Sequence, residues 1–207
     1  MRLNQPLNDI FASGTHVKLL RALCTLPAGV AVSARDLARR AGVSHPRASV
    51  VLGGLAEEGV ATVQRLPRTD LFGLNREHVL AELLVQVFVR ESQLRFDLLS
   101  FVARELKRRR LPVIQARIFG SAARGESTSA SDVDLALVAP RESVRLVEAA
   151  AQELAETVRK RFGTRLNVLV GSPTLDALIR SGRPGRNVWQ AVKREGIDVL
   201  GTAAAAS

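Results

Sequence analysis

Apolar positions in the first half of the chain recur at helical spacing and stop at turn-forming residues. Val17, Leu19, Leu20, Leu23 and Leu26 line one side of a helix over residues 14–26, which Pro27-Ala28-Gly29 ends. Ser33 has the chemistry of an N-cap, with Asp36 in the first turn and Leu37 and Ala38 facing inward before Gly42. Ser44 is expected to cap a third helix that carries His45 and Pro46 in its first turn and buries Val50, Val51, Leu52 and Leu55 before Gly59. The stretch VATVQRLPRTDLFGLN alternates and breaks at Leu66-Pro67-Arg68-Thr69-Asp70, which predicts a β-hairpin. From about Arg76 to Arg110, Leu80, Leu84, Val87, Leu94, Leu98, Phe101 and Leu106 keep to one side of a long helix. Such a stripe wants an apolar partner, either the helix's own domain or a second copy of the chain. Its basic end, Lys107-Arg108-Arg109-Arg110, suits either the helix dipole or a phosphate, and Leu111-Pro112 marks a boundary.

Beyond that boundary the pattern changes to strands alternating with helices. Ile114 to Phe119 predicts a strand, followed by a Gly-Ser turn, a polar connection and a second apolar strand carrying Asp132 and Asp134. Glu142 to Phe162 reads as an amphipathic helix with Val144, Leu146, Val147, Ala150, Leu154 and Val158 toward a sheet, and TRLNVLVGS as a strand. A helix is expected from Pro173 to Ile179, then a loop around Arg183 and Arg186, then a closing helix and strand in NVWQAVKREGIDVLG. Trp189 is expected as a core anchor and TAAAAS as a frayed tail. The expected fold class is α+β in two domains. The divisions are residues 1–75, a connecting helix over 76–110 that suits dimerisation, a second domain over 111–201, and a tail over 202–207.

Composition narrows the partners more than the fold. Hydrophobic residues are 46% and charged residues 24% of 207, as in ordinary globular chains, so a disordered, collagen-like or disulfide-scaffold protein is excluded. Thirty Lys and Arg against 20 Asp and Glu leave a net charge of +10, which points to a polyanion: nucleic acid, nucleotide phosphate or acidic lipid. The single cysteine, Cys24, lies among Leu19, Leu20, Leu23 and Leu26 and reads as a small core residue in a reducing compartment. No apolar stretch approaches a bilayer span, so a cytoplasmic protein with no membrane partner is expected. His16, His45 and His78 share no zinc-ligand spacing.

Helix, helix, turn, helix, hairpin is the order of a winged helix-turn-helix, and SARDLARRAGVSHPRASVVLGGLAEEGVATVQR resembles that family. The resemblance implies duplex DNA as a partner, with His45, Arg47, Ala48 and Ser49 toward bases or phosphates, Arg65 and Arg68 on the wing, and Arg39 and Arg40 near the backbone. A protein-binding or dimerising winged helix is the other reading.

The chemistry is concentrated in VIQARIFGSAARGESTSASDVDLALV, residues 113–138. Alternate strand residues share a face, so Asp132 and Asp134 set two carboxylates side by side, the hard ligands that Mg²⁺ takes together with phosphates and water. Gly120 lets backbone approach a phosphate, Ser121 adds a hydroxyl and an amide donor, and Arg124 can neutralise phosphate or pair with Asp132 or Glu126. Gly120-Ser121, Arg124-Gly125 and Ser131-Asp132-Val133-Asp134 together resemble the minimal nucleotidyltransferases of the DNA polymerase β superfamily. The resemblance implies Mg²⁺ or Mn²⁺, an NTP substrate with ATP foremost, catalytic and metal-binding Asp132 and Asp134, and nucleotide-binding Gly120, Ser121, Arg124 and Ser131. It also implies a third carboxylate on a later strand, where this chain has Asn167, which can ligate through its oxygen but cannot act as a base. Asp176 and Asp198 are the acids left downstream. The family's activity is transfer of NMP to a small molecule or to a protein acceptor such as a toxin. The alternative is a DNA-binding regulator whose degenerate nucleotidyltransferase-like domain senses nucleotide or dimerises.

Overall fold

A computed structural model describes residue 5 and residues 7–124, 132–172, 174, 177, 179 and 186–202. Gly125, Glu126, Ser131, Asp176, Arg183 and the tail beyond 202, all singled out by the sequence, lie outside the described residues. The chain forms two compact units, residues 1–93 and 94–207.

In the first unit, α1 (Leu7–Ile10) leads into α2 (Gly14–Cys24), β1 (Val32–Ser33), α3 (Ala34–Ala41), α4 (His45–Glu57), β2 (Ala61–Leu66) and β3 (Thr69–Leu74). Ser13, which the apolar pattern does not mark, accepts from the His16 amide to cap α2, and Ser33 accepts from the Asp36 amide at 3.1 Å to cap α3. Ser33 also donates its hydroxyl to Asp36 Oδ2 at 2.7 Å. Ser44 makes no such bond. Pro46 occupies the second position of α4, in the first turn, where a missing amide costs the helix little. Gly42 ends α3 at φ 62°, a left-handed conformation that glycine adopts without strain, and this sets α4 off in a new direction.

Leu19, Leu20, Leu23, Leu37, Leu52, Leu55, Val60 and Phe72 pack into the core that holds these helices to the antiparallel sheet β1-β3-β2. Cys24 is buried there, and loss of water pushes its thiol up to about 11, against a smaller opposing effect of Arg76. Ala48, expected at a nucleic-acid face, is fully buried in this core instead, because the fourth residue after Ser44 begins the inward stripe of α4. Val50, expected inside, is 77% exposed, since Ala48, Val51, Leu52 and Leu55 already complete that stripe.

The long helix α5 (Ala81–Arg108) begins five residues later than its sequence pattern suggests and runs across the division between the units. Its single apolar stripe is not kept. Leu84 and Phe88 are buried in the first core, and Leu98, Leu99, Phe101, Val102 and Leu106 in the second, whereas Val87 and Leu94 are about half exposed. Each half of the helix buries the side that its own unit covers. At its basic end, Arg108 and Arg109 both bond Glu105, and Arg109 reaches Glu153 at 2.5 Å.

The second unit is built on a four-stranded mixed sheet, ordered β6-β5-β4-β7, with β4 (Gln115–Phe119), β5 (Val133–Val138), β6 (Leu166–Gly171) and β7 (Ile197–Asp198). Only β5 and β6 are parallel in this sheet. A parallel pair needs a crossover, and α7 (Val144–Phe162) supplies it by burying Val147, Ala151, Leu154 and Val158 at helical spacing. Leu146 falls outside that stripe and is 59% exposed. Alternation along β5 sends Leu135 and Leu137 to the core under α5 and α7, and Ala136 and Val138 to the opposite face. There α8 (Arg186–Glu195) covers them with Trp189 and Val192, so Trp189 is a core anchor. A last turn, α9 (Val199–Thr202), follows β7.

Candidate functional site

The face of β5 that is apolar beneath α8 becomes acidic at the start of the strand. Asp134 is the second residue of β5 and Asp132 lies immediately before it, so period-two alternation carries both carboxylates onto the face of Ala136 and Val138. On the neighbouring parallel strand Asn167 pairs in register with Asp134. Its side-chain amide donates to Asp132 Oδ2 at 3.3 Å and Asp134 Oδ1 at 3.2 Å. Both aspartates are half-buried and Asn167 is exposed, so the cluster opens to solvent.

From the other side, antiparallel pairing sets Phe119 opposite Asp134, and the chain turns at Gly120 into α6 (Ser121–Arg124). Gly120 has φ 72°, and a Cβ built on it would stand 2.9 Å from Asp134 Oδ2. Only glycine leaves that carboxylate its room, which is the physical content of the Gly-Ser pattern. The Gly120 carbonyl accepts from the amides of Ala123 and Arg124 at 3.1 and 3.2 Å, which winds the following residues into a turn. Ser121 sits at its first position, half-buried.

Arg124 does not pair with Asp132. It bonds Glu195 at 3.1 Å, at the C-terminal end of α8, and remains 45% exposed. Arg95, from α5, donates to the Ala123 carbonyl at the end of α6. Glu195 and Arg95 are the site-supporting residues that sequence reasoning misses, because their partners lie 71 and 28 residues away and no local motif marks them. Asp198 is removed from the cluster: it lies on β7, opposite Arg117, and its carboxylate accepts from the Leu200 and Gly201 amides to cap α9. Arg186 begins α8 and is not in a loop.

The donor set fits a hard divalent cation. Two carboxylates converge from alternate positions, Asn167 carries an amide oxygen beside the N–H groups that face them, and Mg²⁺ habitually takes one or two carboxylates and completes its shell with phosphate and water. Among the described residues no group of three or more His, Cys, Asp and Glu side chains forms a metal cluster.

In the first unit His45, Arg47 and Ser49 lie on the first turns of α4, with His45 and Arg47 exposed. Ser49 is half-buried and donates to the His45 carbonyl at 3.1 Å. Arg65 is exposed on β2 opposite Asp70, and Arg68 is exposed in the turn between β2 and β3. Arg39 is tied to Asp36 at 2.7 Å. A cleft between α2 and α3 adds Lys18, Arg21 and Arg40, of which Arg21 is neutralised by Glu91 through two hydrogen bonds.

No helix among the described residues is long and apolar enough to cross a membrane. Comparison with curated proteins finds no match. The family model of the nucleotidyltransferase domain matches residues 99–174, somewhat over a third of the chain, a span that holds Gly120, Ser121, Asp132, Asp134 and Asn167. That segment is similar to a nucleotidyltransferase domain, and nucleotidyl transfer is the general activity the match supports.

Proposed function

We propose that this protein is a divalent-cation-dependent nucleotidyltransferase that moves NMP from an NTP, ATP foremost, to a hydroxyl on a protein or small-molecule acceptor. The observation that carries the reading is the convergence of Asp132, Asp134 and Asn167 beside Gly120 and Ser121. Asp132 and Asp134 would hold a Mg²⁺ or Mn²⁺ ion, whose chemistry is to offset charge on the phosphates and the leaving oxygen. Gly120, Ser121 and the first turn of α6 face the phosphates, and Arg124, steered by Glu195, contributes positive charge beside them. Ser131, by its place in the motif, belongs to the same nucleotide contacts. The acceptor oxygen attacks the α-phosphorus, the bond to the bridging oxygen breaks, and pyrophosphate leaves with the electron pair. The acceptor's proton goes to one of the two aspartates, because Asn167 has no basic atom.

The first unit is read as a winged helix-turn-helix that docks on duplex DNA, with α4 presenting His45, Arg47 and Ser49, and the β2–β3 hairpin presenting Arg65 and Arg68. Its element order and exposed arginines support this. Asn167 in place of a third carboxylate favours a second reading, a DNA-binding regulator that binds nucleotide without transferring it. Incubation of the full chain with α-labelled NTPs and host lysate separates the two. Label on an acceptor that disappears with Asp132→Ala/Asp134→Ala supports the transferase. Cation-dependent nucleotide binding without any labelled acceptor supports the sensor, and equal nucleotide binding by wild type and variant defeats the site.

A further inference from the structure

We propose that Asn167 is a neutral latch on the aspartate pair, holding Asp132 and Asp134 through its amide N–H groups and excluding a divalent cation until nucleotide phosphates arrive. The proposal rests on the cation-site reading above and assigns Asn167 a role opposite to that of a simple ligand.

Two like-charged carboxylates brought onto one spot repel each other, and the Asn167 amide nitrogen offsets this by giving one N–H toward each, at 3.3 and 3.2 Å. Register leaves the amide little choice of place. Asn167 stands directly across from Asp134 on the adjacent parallel strand, with its neighbours Leu166 and Val168 packed at the second core. The orientation of the amide is decided by the same chemistry. Turning Oδ1 toward the carboxylates would set an acceptor against two acceptors and lose both bonds, so the nitrogen faces them when no cation is bound. A cation reverses that preference, since it repels the N–H groups and can be ligated only by Oδ1. The latched and the cation-bound arrangements therefore exclude each other, and binding a cation must break two charge-assisted hydrogen bonds. The site also has two formal negative charges with which to repay that cost, from Asp132 and Asp134. A triphosphate brings its own oxygens and charge, which makes uptake of cation and nucleotide interdependent.

The test is Mn²⁺ binding to the full chain, followed by electron paramagnetic resonance of free Mn²⁺, with and without a non-transferable ATP analogue. Wild type is expected to bind Mn²⁺ weakly alone and at least tenfold more tightly with the analogue, tenfold being about the equilibrium worth of one hydrogen bond to a charged group. Asn167→Ala removes the competing donor and is expected to bind Mn²⁺ alone about tenfold more tightly than wild type. Asn167→Val, which suits a strand, repeats the experiment if the alanine variant folds poorly, and circular dichroism checks both. Weaker binding by these variants would make Asn167 an ordinary ligand, and unchanged binding would make it a bystander; either overturns the latch. Asp132→Ala tests the parent reading separately: if it binds Mn²⁺ as wild type does, the cation site itself is wrong. If neither wild type nor the Asn167 variants take up Mn²⁺ under either condition, both readings fall.

Discussion

Position 120 has no room for a side chain. A methyl group there would press on Asp134 Oδ2 at 2.9 Å and would also demand φ 72° of a residue with a side chain. Gly120→Ala is therefore expected to cost about 1–3 kcal/mol in strain and to displace the Asp134 carboxylate. Cation-dependent ATP binding should fall at least tenfold on titration, and an undiminished affinity would mean that the close approach is not what glycine provides. Cys24 behaves in the opposite way, as a residue with no exposed chemistry. Buried, with its thiol raised to about 11, it should resist an exposed-thiol reagent in the folded chain and react only on unfolding. Its leucine neighbours make this legible in the sequence. The partners of Arg124 are not legible there, because Glu195 comes to it only when α8 is laid across the sheet.

At the level of elements, the basic end of α5 is resolved in favour of structure for two of its arginines. The hydrogen bond from Arg108, helped by its charge and by Arg109, holds the Glu105 carboxyl below its ordinary value of 4.5, against the opposing effect of burial. A carboxyl with a lowered folded-state pKa contributes stability above its unfolded pKa and loses it as pH falls through the folded value. Glu105→Gln should thus lower the melting temperature near neutral pH, and the gap to wild type should close on acidification through and below the carboxylate range. A gap that stays constant with pH would deny the pairing any role. The same helix shows why a heptad-like stripe misleads. Leu84 and Leu98 are buried, one in each core, but Val87 and Leu94 on the same stripe are about half exposed. Ser33 and Ser44 make the parallel point for caps: the residue type is the same, and of the two Ser33 alone makes the side-chain bond.

Over the whole molecule, the positive charge is unevenly spread. Residues 1–110 hold seventeen Lys and Arg against ten Asp and Glu, and residues 111–207 hold thirteen against ten. Divided at the units the balance is reversed: residues 1–93, proposed to meet DNA, hold eleven Lys and Arg against eight Asp and Glu, whereas residues 94–207, which carry the acidic pair proposed to meet a nucleotide through a cation, hold nineteen against twelve, the basic end of α5 among them. If Arg47, Arg65 and Arg68 each neutralise a backbone phosphate, the slope of log K against log salt should shrink by about 0.9 for each one replaced by alanine. Fluorescence anisotropy with a duplex probe measures this, and an unchanged slope in the triple variant would place the contacts elsewhere or leave the unit as a protein-binding module.

The amino-acid sequence by itself determined the order of elements, the two strands around Gly120-Ser121, the aspartate pair and the unusual amide at 167. Local periodicity and turn chemistry act over a few residues and leave their mark in the chain. Only the tertiary structure decided that Asn167 bridges both carboxylates, that Asp198 is a helix cap on another strand, that Arg124 answers to Glu195, and that Ala48 is core. Those facts depend on strand register and on which helix covers which face, and register is fixed by packing between segments many residues apart. A single step of register between β5 and β6 would turn Asn167 to the other face of the sheet and leave the two aspartates without its amide.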